Sequence, residues 1–220
     1  MVEIIMKTFR ELFDEHTGNG ILKWSHYPEI YDKHFSKYRD LPITFLEIGI
    51  LNGGSLQIWE KYFPKAKIFA VDIDEKCKQY ESDRTKIFIG DQADKSFLRN
   101  VKAQVPQIDI IIDDGGHRAE QQINTFEEMY YHLKAKGVYL IEDIELNYRQ
   151  DKKPGNFMDL MKSKIDELNI RRTLPLRTSL SNNWKDLEVR FTNTTNSITF
   201  YDNVVVFEKD NIKTPREIRK

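Results

Sequence analysis

The sequence predicts an α/β fold: a mostly parallel sheet with helices on both faces and a C-terminal antiparallel hairpin. Three observations predict it. Five short apolar runs, "ITFLEIGI", "KIFAVDID", "KIFIGDQ", "IDIIID" and "GVYLIEDI", alternate with stretches of helical periodicity, which is the pattern of strands and crossover helices. The runs are apolar on both faces, as strands covered from either side must be. Each ends in acids or glycine, so polar groups gather at the carboxyl ends of the strands, where open α/β sheets bind ligands.

Ahead of this core, residues 3–16 and 28–39 read as helices, joined by "TGNGILKWSHY", a loop with two glycines and clustered aromatic and basic residues. Trp59, Tyr62 and Phe63, on the first helix of the core, read as packing residues. "HLKAKG" (132–137) reads as a helix end, with Lys134 and Lys136 complementing the dipole and Gly137 as the stop. "NYRQDKKPGN" breaks the pattern, and residues 157–168 read as one more helix. The last strands are expected at "LEVRFT" and "SITFYDNVVVFEKD", turning at "NTTN", and the basic tail "IKTPREIRK" is expected to fray.

With 220 residues, 40% hydrophobic and 31% charged, the chain closes one substantial core and is short for two. A single domain over 1–220 is expected. Its parts are an N-terminal helical segment (1–40), a ligand-binding core (43–148) and a C-terminal helix and hairpin (149–220). The 34 Lys and Arg balance 35 Asp and Glu for a net charge of −1, so no general field draws in nucleic acid or an anionic membrane. Cys77 alone allows no internal disulfide and suits a reducing compartment. The first residues mix apolar and charged positions at helical spacing, without a signal-peptide run, so a cytoplasmic location is expected. A homo-oligomer is compatible with all of this.

"FLEIGILNGGSLQIW" sets Glu47, Gly49, Gly53, Gly54 and Ser55 across a strand-to-helix junction. Glycines there permit tight turning and close backbone approach to a ligand, and the helix start offers unpaired N–H groups. The spacing is neither G-x-G-x-x-G nor a phosphate-binding loop with Gly-Lys-Ser/Thr. It resembles motif I of the class I methyltransferases that use S-adenosylmethionine. "AVDID" then puts Asp72 at the end of the second strand, where an acid suits a ribose with two hydroxyls. "GDQAD" puts Asp91 and Gln92 where an adenine would lie.

"IIIDDGGH" closes the fourth strand and "YLIEDI" the fifth, so Asp113, Asp114, Glu142 and Asp143 are expected to converge. Neighbouring carboxylates repel unless protonated or joined by a cation. Oxygen-only ligands favour magnesium, manganese or calcium over zinc.

From about residue 24 to 148 the chain resembles the metal-dependent sugar O-methyltransferases of the macrocin and mycinamicin type, through "GGSLQIWEKYFP" (53–64), "GDQAD" (90–94), "DDGGH" (113–117) and "IED" (141–143). More distantly it is similar to the catechol O-methyltransferases. The resemblance implies a single Rossmann-like methyltransferase domain that uses S-adenosylmethionine and Mg²⁺ or Mn²⁺ and acts on a sugar or glycoside hydroxyl. It implies Asp114, Glu142 and Asp143 at the metal, His117 as general base beside Asp114, and Asp113 as a supporting acid or helix cap. Cofactor contacts would come from Glu47, Gly49, Gly53, Ser55, Asp72, Asp91 and Gln92. Gly116 departs from the family, which often has serine there.

In "KWSHYPEIYDKHF", His26, Tyr27, Tyr31 and His34 read as packing or capping residues, and His117 has the plainer reading of a helix-start residue packed on the sheet. The resemblance offers a lid of Lys23, His26 and Tyr27 as the functional alternative. Two other functions fit parts of the pattern. One is a metal-dependent glycosyltransferase holding a nucleotide-sugar through "DID" (72–74), which leaves the glycine loop and later acids unused. The other is a non-catalytic cofactor-binding partner subunit.

Overall fold

The computed structural model describes residues 6–148, 155–170, 186–212 and 218. Five parallel strands form its centre: β1 (Thr44–Ile48), β2 (Lys67–Asp72), β3 (Thr85–Ile89), β4 (Ile108–Asp113) and β5 (Leu133–Ile141). β6 (Thr195–Tyr201) and β7 (Val204–Lys209) form the hairpin, and the strand order is β3-β2-β1-β4-β5-β7-β6. β7 runs antiparallel to both β5 and β6. The expected fold class is therefore what the chain adopts. β1 and β4 lie side by side in the middle, so Ile48 pairs with Asp113 and the glycine loop emerges next to the "DDGGH" loop.

Strand residues alternate between two cores. Phe45, Ile68, Ile110, Ile112 and Leu140 face one side, covered by α1 (Phe9–Asp14), α2 (Tyr27–Phe35) and α3 (Gly54–Tyr62). Leu46, Val71, Ile111, Tyr139 and Phe207 face the other, under α4 (Lys95–Gln104), α5 (Ala119–Met129), α6 (Phe157–Asn169) and α7 (Asp186–Thr194). Trp59, Tyr62 and Phe63 are fully buried in the first core, as expected.

Local signals set the helix starts. Thr8 and Glu11 form a capping box on α1, while Asp94 and Asn156 accept backbone N–H groups at the starts of α4 and α6. α3 has no side-chain cap and begins after Gly53, which is left-handed at φ 71°. Its first amides are thereby left facing the end of the sheet.

Three elements differ from expectation. The first helix begins at Phe9, and residues 3–5 of its expected span lie outside the described residues, as do 149–154 and most of the basic tail. "LEVRFT" belongs to α7, and the hairpin turns at Asp202 and Asn203, between β6 and β7. Phe191 of that helix is fully buried, and the Thr192 hydroxyl donates to the Glu167 carbonyl at the end of α6. "LKAKG" is strand, not a helix end: Lys134 pairs with Asp109 at 2.7 Å, and Lys136 turns left-handed at φ 66°, where β5 shifts register against β4. Among the described residues no helix is long and apolar enough to cross a membrane.

Candidate active site

A cleft of about 410 Å³ opens at the carboxyl ends of β1, β2 and β4. The glycine loop forms its floor. Gly49 is left-handed at φ 83°, and a Cβ there would stand 2.1 Å from the Asp114 carbonyl oxygen, so only glycine lets the two loops close on each other. Asp72 holds the loop from the side: one carboxylate oxygen accepts from the amides of Ile50 and Leu51 at 2.9 and 3.2 Å, and the other from Asp74 at 2.9 Å.

Of the expected cofactor residues, Gly49, Ser55, Asp72, Asp91 and Gln92 line this cleft, and Gly53 caps the helix that starts there. Glu47 stands behind the loop, fully buried, accepting from the Ser55 hydroxyl at 2.9 Å and the Trp59 indole at 3.0 Å. Burial pushes its carboxyl up to about 7 even though the Lys23 charge and both hydrogen bonds pull the other way. Its visible work is to fix the start of α3. Gln92 donates to Asp113 and Thr125 and accepts from the Gly116 amide at 2.7 Å, bracing the "DDGGH" loop. Two wall residues escaped the sequence reading: Leu51 and Ile73, each 69% exposed and both lining the cleft, give it apolar sides suited to a flat ring.

Two of the four expected acids, Asp114 and Asp143, converge with His117. Asp114, His117 and Asp143 each offer a ligand atom, and these atoms lie within 4.8 Å of one another. His117 Nε2 is 3.6 Å from Asp143 Oδ2 and 4.0 Å from Asp114 Oδ1. Both His117 and Asp143 have left-handed backbone, φ 56° and 53°. For residues other than glycine this stores roughly 1–3 kcal/mol each, a cost commonly met at functional sites. Among the described residues His117 Nδ1 is buried without a hydrogen-bond partner.

Asp113 and Glu142 point elsewhere. Asp113 is buried beneath the loop on Gln92, and burial pushes it up to about 7; it supports the site without capping a helix. Glu142 is 1% exposed and accepts from the Tyr31 hydroxyl at 2.6 Å and from Lys23 at 2.8 Å. The Lys23 ammonium also contacts Asp114 at 2.5 Å. Burial alone would lower the affinity of Lys23 for its proton, but the two carboxylates outweigh it and hold the charge on. Burial, then the Asp114 charge, pushes Glu142 upward, with Lys23 opposing.

The segment before α2 therefore reaches into the site. Asp143 Oδ1 accepts from the Tyr27 hydroxyl at 2.6 Å, the Asn203 amide at 3.0 Å and the Trp24 indole at 3.2 Å. His26 contacts the Asp202 carbonyl, and His34 packs on Tyr201. Of the lid alternative, Lys23 and Tyr27 touch the acids and His26 does not. Tyr31, Trp24 and Asn203 were not legible as site residues. The space of the family's serine at Gly116 is filled by Gln121, whose Oε1 would lie 2.1 Å from an added Cβ.

A sheet of this order, with a glycine loop and an acid cluster at its carboxyl edge, defines the class I methyltransferase fold. No protein-family model matches the chain. Demethylmacrocin O-methyltransferase of Streptomyces fradiae is 33% identical over 77% of this chain and 46% of its own length. Mycinamicin VI 2''-O-methyltransferase of Micromonospora griseorubida is 31% identical over 86% of this chain and 49% of its own. The solved MycE methyltransferase of the mycinamycin pathway, in complex with Mg, SAH and mycinamycin VI, superposes with a TM-score of 0.75 at 26% identity, covering 94% of this chain and 56% of that one. The chain is a homologue of these macrocin- and mycinamicin-type sugar O-methyltransferases. It spans about half the length of the curated relatives it matches.

Proposed function

We propose that this protein transfers the methyl group of S-adenosylmethionine to a hydroxyl of a sugar, on a glycosylated natural product or surface glycan, with a divalent cation at the acid cluster. The observation that carries this is one cleft running from the Gly49 turn, past Asp72, to the donor atoms of Asp114, His117 and Asp143. The relatives are named as O-methyltransferases of demethylmacrocin and of mycinamicin VI.

The backbone of the glycine loop and Ser55 would bind the amino-acid end of the cofactor, Asp72 the ribose, and Asp91 with the walls Leu51 and Ile73 the adenine. The donor chemistry fits a hard cation: Asp114 and Asp143 offer carboxylate oxygens within 4.8 Å of each other, and a cation there would take over the neutralising role that Lys23 has toward Asp114. We assign Asp114, Glu142 and Asp143 to hold it; Glu142 reaches it only when Lys23 gives way. Magnesium bound there would polarise the acceptor oxygen and stabilise negative charge on it. His117 Nε2 takes the hydroxyl proton as the oxygen bonds to the methyl carbon and the sulfur–carbon bond breaks. Tyr27, Trp24 and Asn203 fix Asp143, and Gln92 fixes the turn that carries His117. Residues 1–220 act as one unit in this reading.

Thermal-shift measurements with S-adenosylhomocysteine and with UDP- or GDP-sugars test it, because a ligand raises apparent stability only where it binds the folded state. Stabilisation by S-adenosylhomocysteine is expected. Stabilisation by a nucleotide-sugar alone would replace methyl transfer with glycosyl transfer.

A further inference from the structure

β6 is the outermost strand at one end of the sheet, and among the described residues no strand pairs with its outer side. It runs for seven residues, Thr195–Tyr201, and "TNSITFY" contains neither a charged side chain nor a proline. Edge strands are normally blunted by one or the other, or by being short. The opposite edge, β3, is blunted in two of these ways: it has five residues and carries the exposed Lys86. The two-residue turn at Asp202 and Asn203 decides which backbone groups of β6 are free. In such a hairpin the closing pair, Tyr201 with Val204, exchanges hydrogen bonds, so Tyr201, Thr199 and Ser197 direct their N–H and C=O groups to β7. Ile198 and Phe200 direct theirs outward. The side chains of that outward pair are apolar: Ile198 packs on the second core, and Phe200, on the same face, is 40% exposed. α6 lies against β6 on this face and exposes Ile165 at 41%.

We infer that β6 is a dimer interface, its outer edge pairing antiparallel with β6 of a second copy of this chain about a two-fold axis at Ile198. Open N–H and C=O groups along an edge call for an extended partner, and a strand set antiparallel to its own copy supplies donor for acceptor and acceptor for donor. Ile198 exchanges both of its outward bonds with Ile198 of the partner subunit. Phe200 lies diagonal to that residue, within the reach of an aromatic side chain, so the outward pairs of the two copies close into one apolar patch over the axis. Lys86 disfavours the alternative in which β6 of one copy adds to β3 of the next, an arrangement that would grow without closing. The assembly therefore stops at two. A net charge of −1 on each chain sets little repulsion between the copies. The hairpin steadied by this pairing also carries Asn203, whose amide donates to Asp143 at 3.0 Å. The interface is independent of the reaction proposed above.

Sedimentation velocity of the full chain over a concentration series, with hydrogen exchange on the same samples, tests this. A reversible equilibrium between monomer and dimer is expected, with the Ile198 amide protected in proportion to the dimer present. Phe200→Pro removes an outward N–H while leaving the bonds to β7 in place. It should weaken the dimer about tenfold or more, since each copy loses a donor. Phe200→Lys keeps the backbone intact and sets like charges beside the axis, so it should dissociate the dimer as well. Circular dichroism and melting temperature show that both variants are folded. A chain that stays monomeric at every concentration overturns the interface, and protection of the Ile198 amide in that monomer would assign the edge to another segment of the same chain. A dimer that persists in both folded variants lies elsewhere on the surface and overturns it equally, as do assemblies that grow past two copies.

Discussion

The Lys23 ammonium, with its side chain 3% exposed, lies 2.8 Å from Glu142 Oε2, an acid 119 positions away in sequence. The same ammonium holds Asp114, so a tethered cation already neutralises two of the carboxylates assigned to a metal. In the proposed reading, Lys23 and a divalent ion would compete for one place.

Replacing the lysine should reveal that competition. Lys23→Met leaves two buried carboxylates uncompensated, and breaking a buried ion pair from one side costs about 3–5 kcal/mol. Urea unfolding in chelator should show that loss, with magnesium restoring much of it. Calorimetry should find tighter magnesium binding in the variant than in the unmutated protein. Weaker binding would mean that Lys23 supports the metal rather than standing in for it.

Glu142 and His117 can be told apart in the same way. Glu142→Gln should weaken magnesium binding, while His117→Ala should keep magnesium and lower turnover by about 10²- to 10⁴-fold, the usual cost of losing a general base. The opposite pattern, magnesium lost with His117 and kept without Glu142, would transfer the ligand role to the imidazole, as the grouping of Asp114, His117 and Asp143 within 4.8 Å permits.

Asp72 accepts three loop amides and lines the cleft. Asp72→Asn should weaken S-adenosylhomocysteine by about tenfold or more, the cost of a lost charged hydrogen bond, in the presence or absence of magnesium. Unchanged affinity by calorimetry would remove the ribose assignment and leave Asp72 as a brace for the loop.

The buried acid Glu47 gives stability a definite slope with pH. Its carboxyl is raised from 4.5 to about 7 in the folded chain. Between those values the folded state binds a proton that the unfolded state has released, so stability falls as pH rises through the window, by at most about 1.4 kcal/mol per pH unit. Asp113, raised to about 7, adds a slope of the same sign. Denaturant unfolding across pH 5–7 should show a shallower slope in Glu47→Gln, whose amide can still meet Ser55 and Trp59.

Strand ends were the legible part of this protein. Apolar runs closing in acids located Asp72, Asp114 and Asp143 because register carries them to one edge, as the pairing of Ile48 with Asp113 does. Side-chain direction was not legible. Glu142 and Asp143 are consecutive, yet one turns into the core toward Tyr31 and the other toward His117, because Asp143 adopts a left-handed backbone that no spacing rule predicts. Trp24 and Asn203 were hidden by distance along the chain, and Lys23 was legible only as a lid residue, not as the partner of Asp114 and Glu142. "LEVRFT" misled because its alternation has the period of a strand, while the Phe191 contact that anchors it as a helix is tertiary. "KAKG" misled because a left-handed lysine at a bulge looks, in sequence, like a helix cap.

The most direct test of the central claim is transfer of labelled methyl from S-adenosylmethionine to a panel of glycosides, run on exhaustively chelated protein and again after magnesium is returned. The expected result is a methylated sugar product by mass spectrometry that disappears with chelation and reappears with magnesium, while S-adenosylhomocysteine binds in both states. Full turnover in the chelated protein, or no methylated product from protein that binds both ligands across a panel containing its acceptor class, would contradict cation-assisted sugar methylation at Asp114, His117 and Asp143.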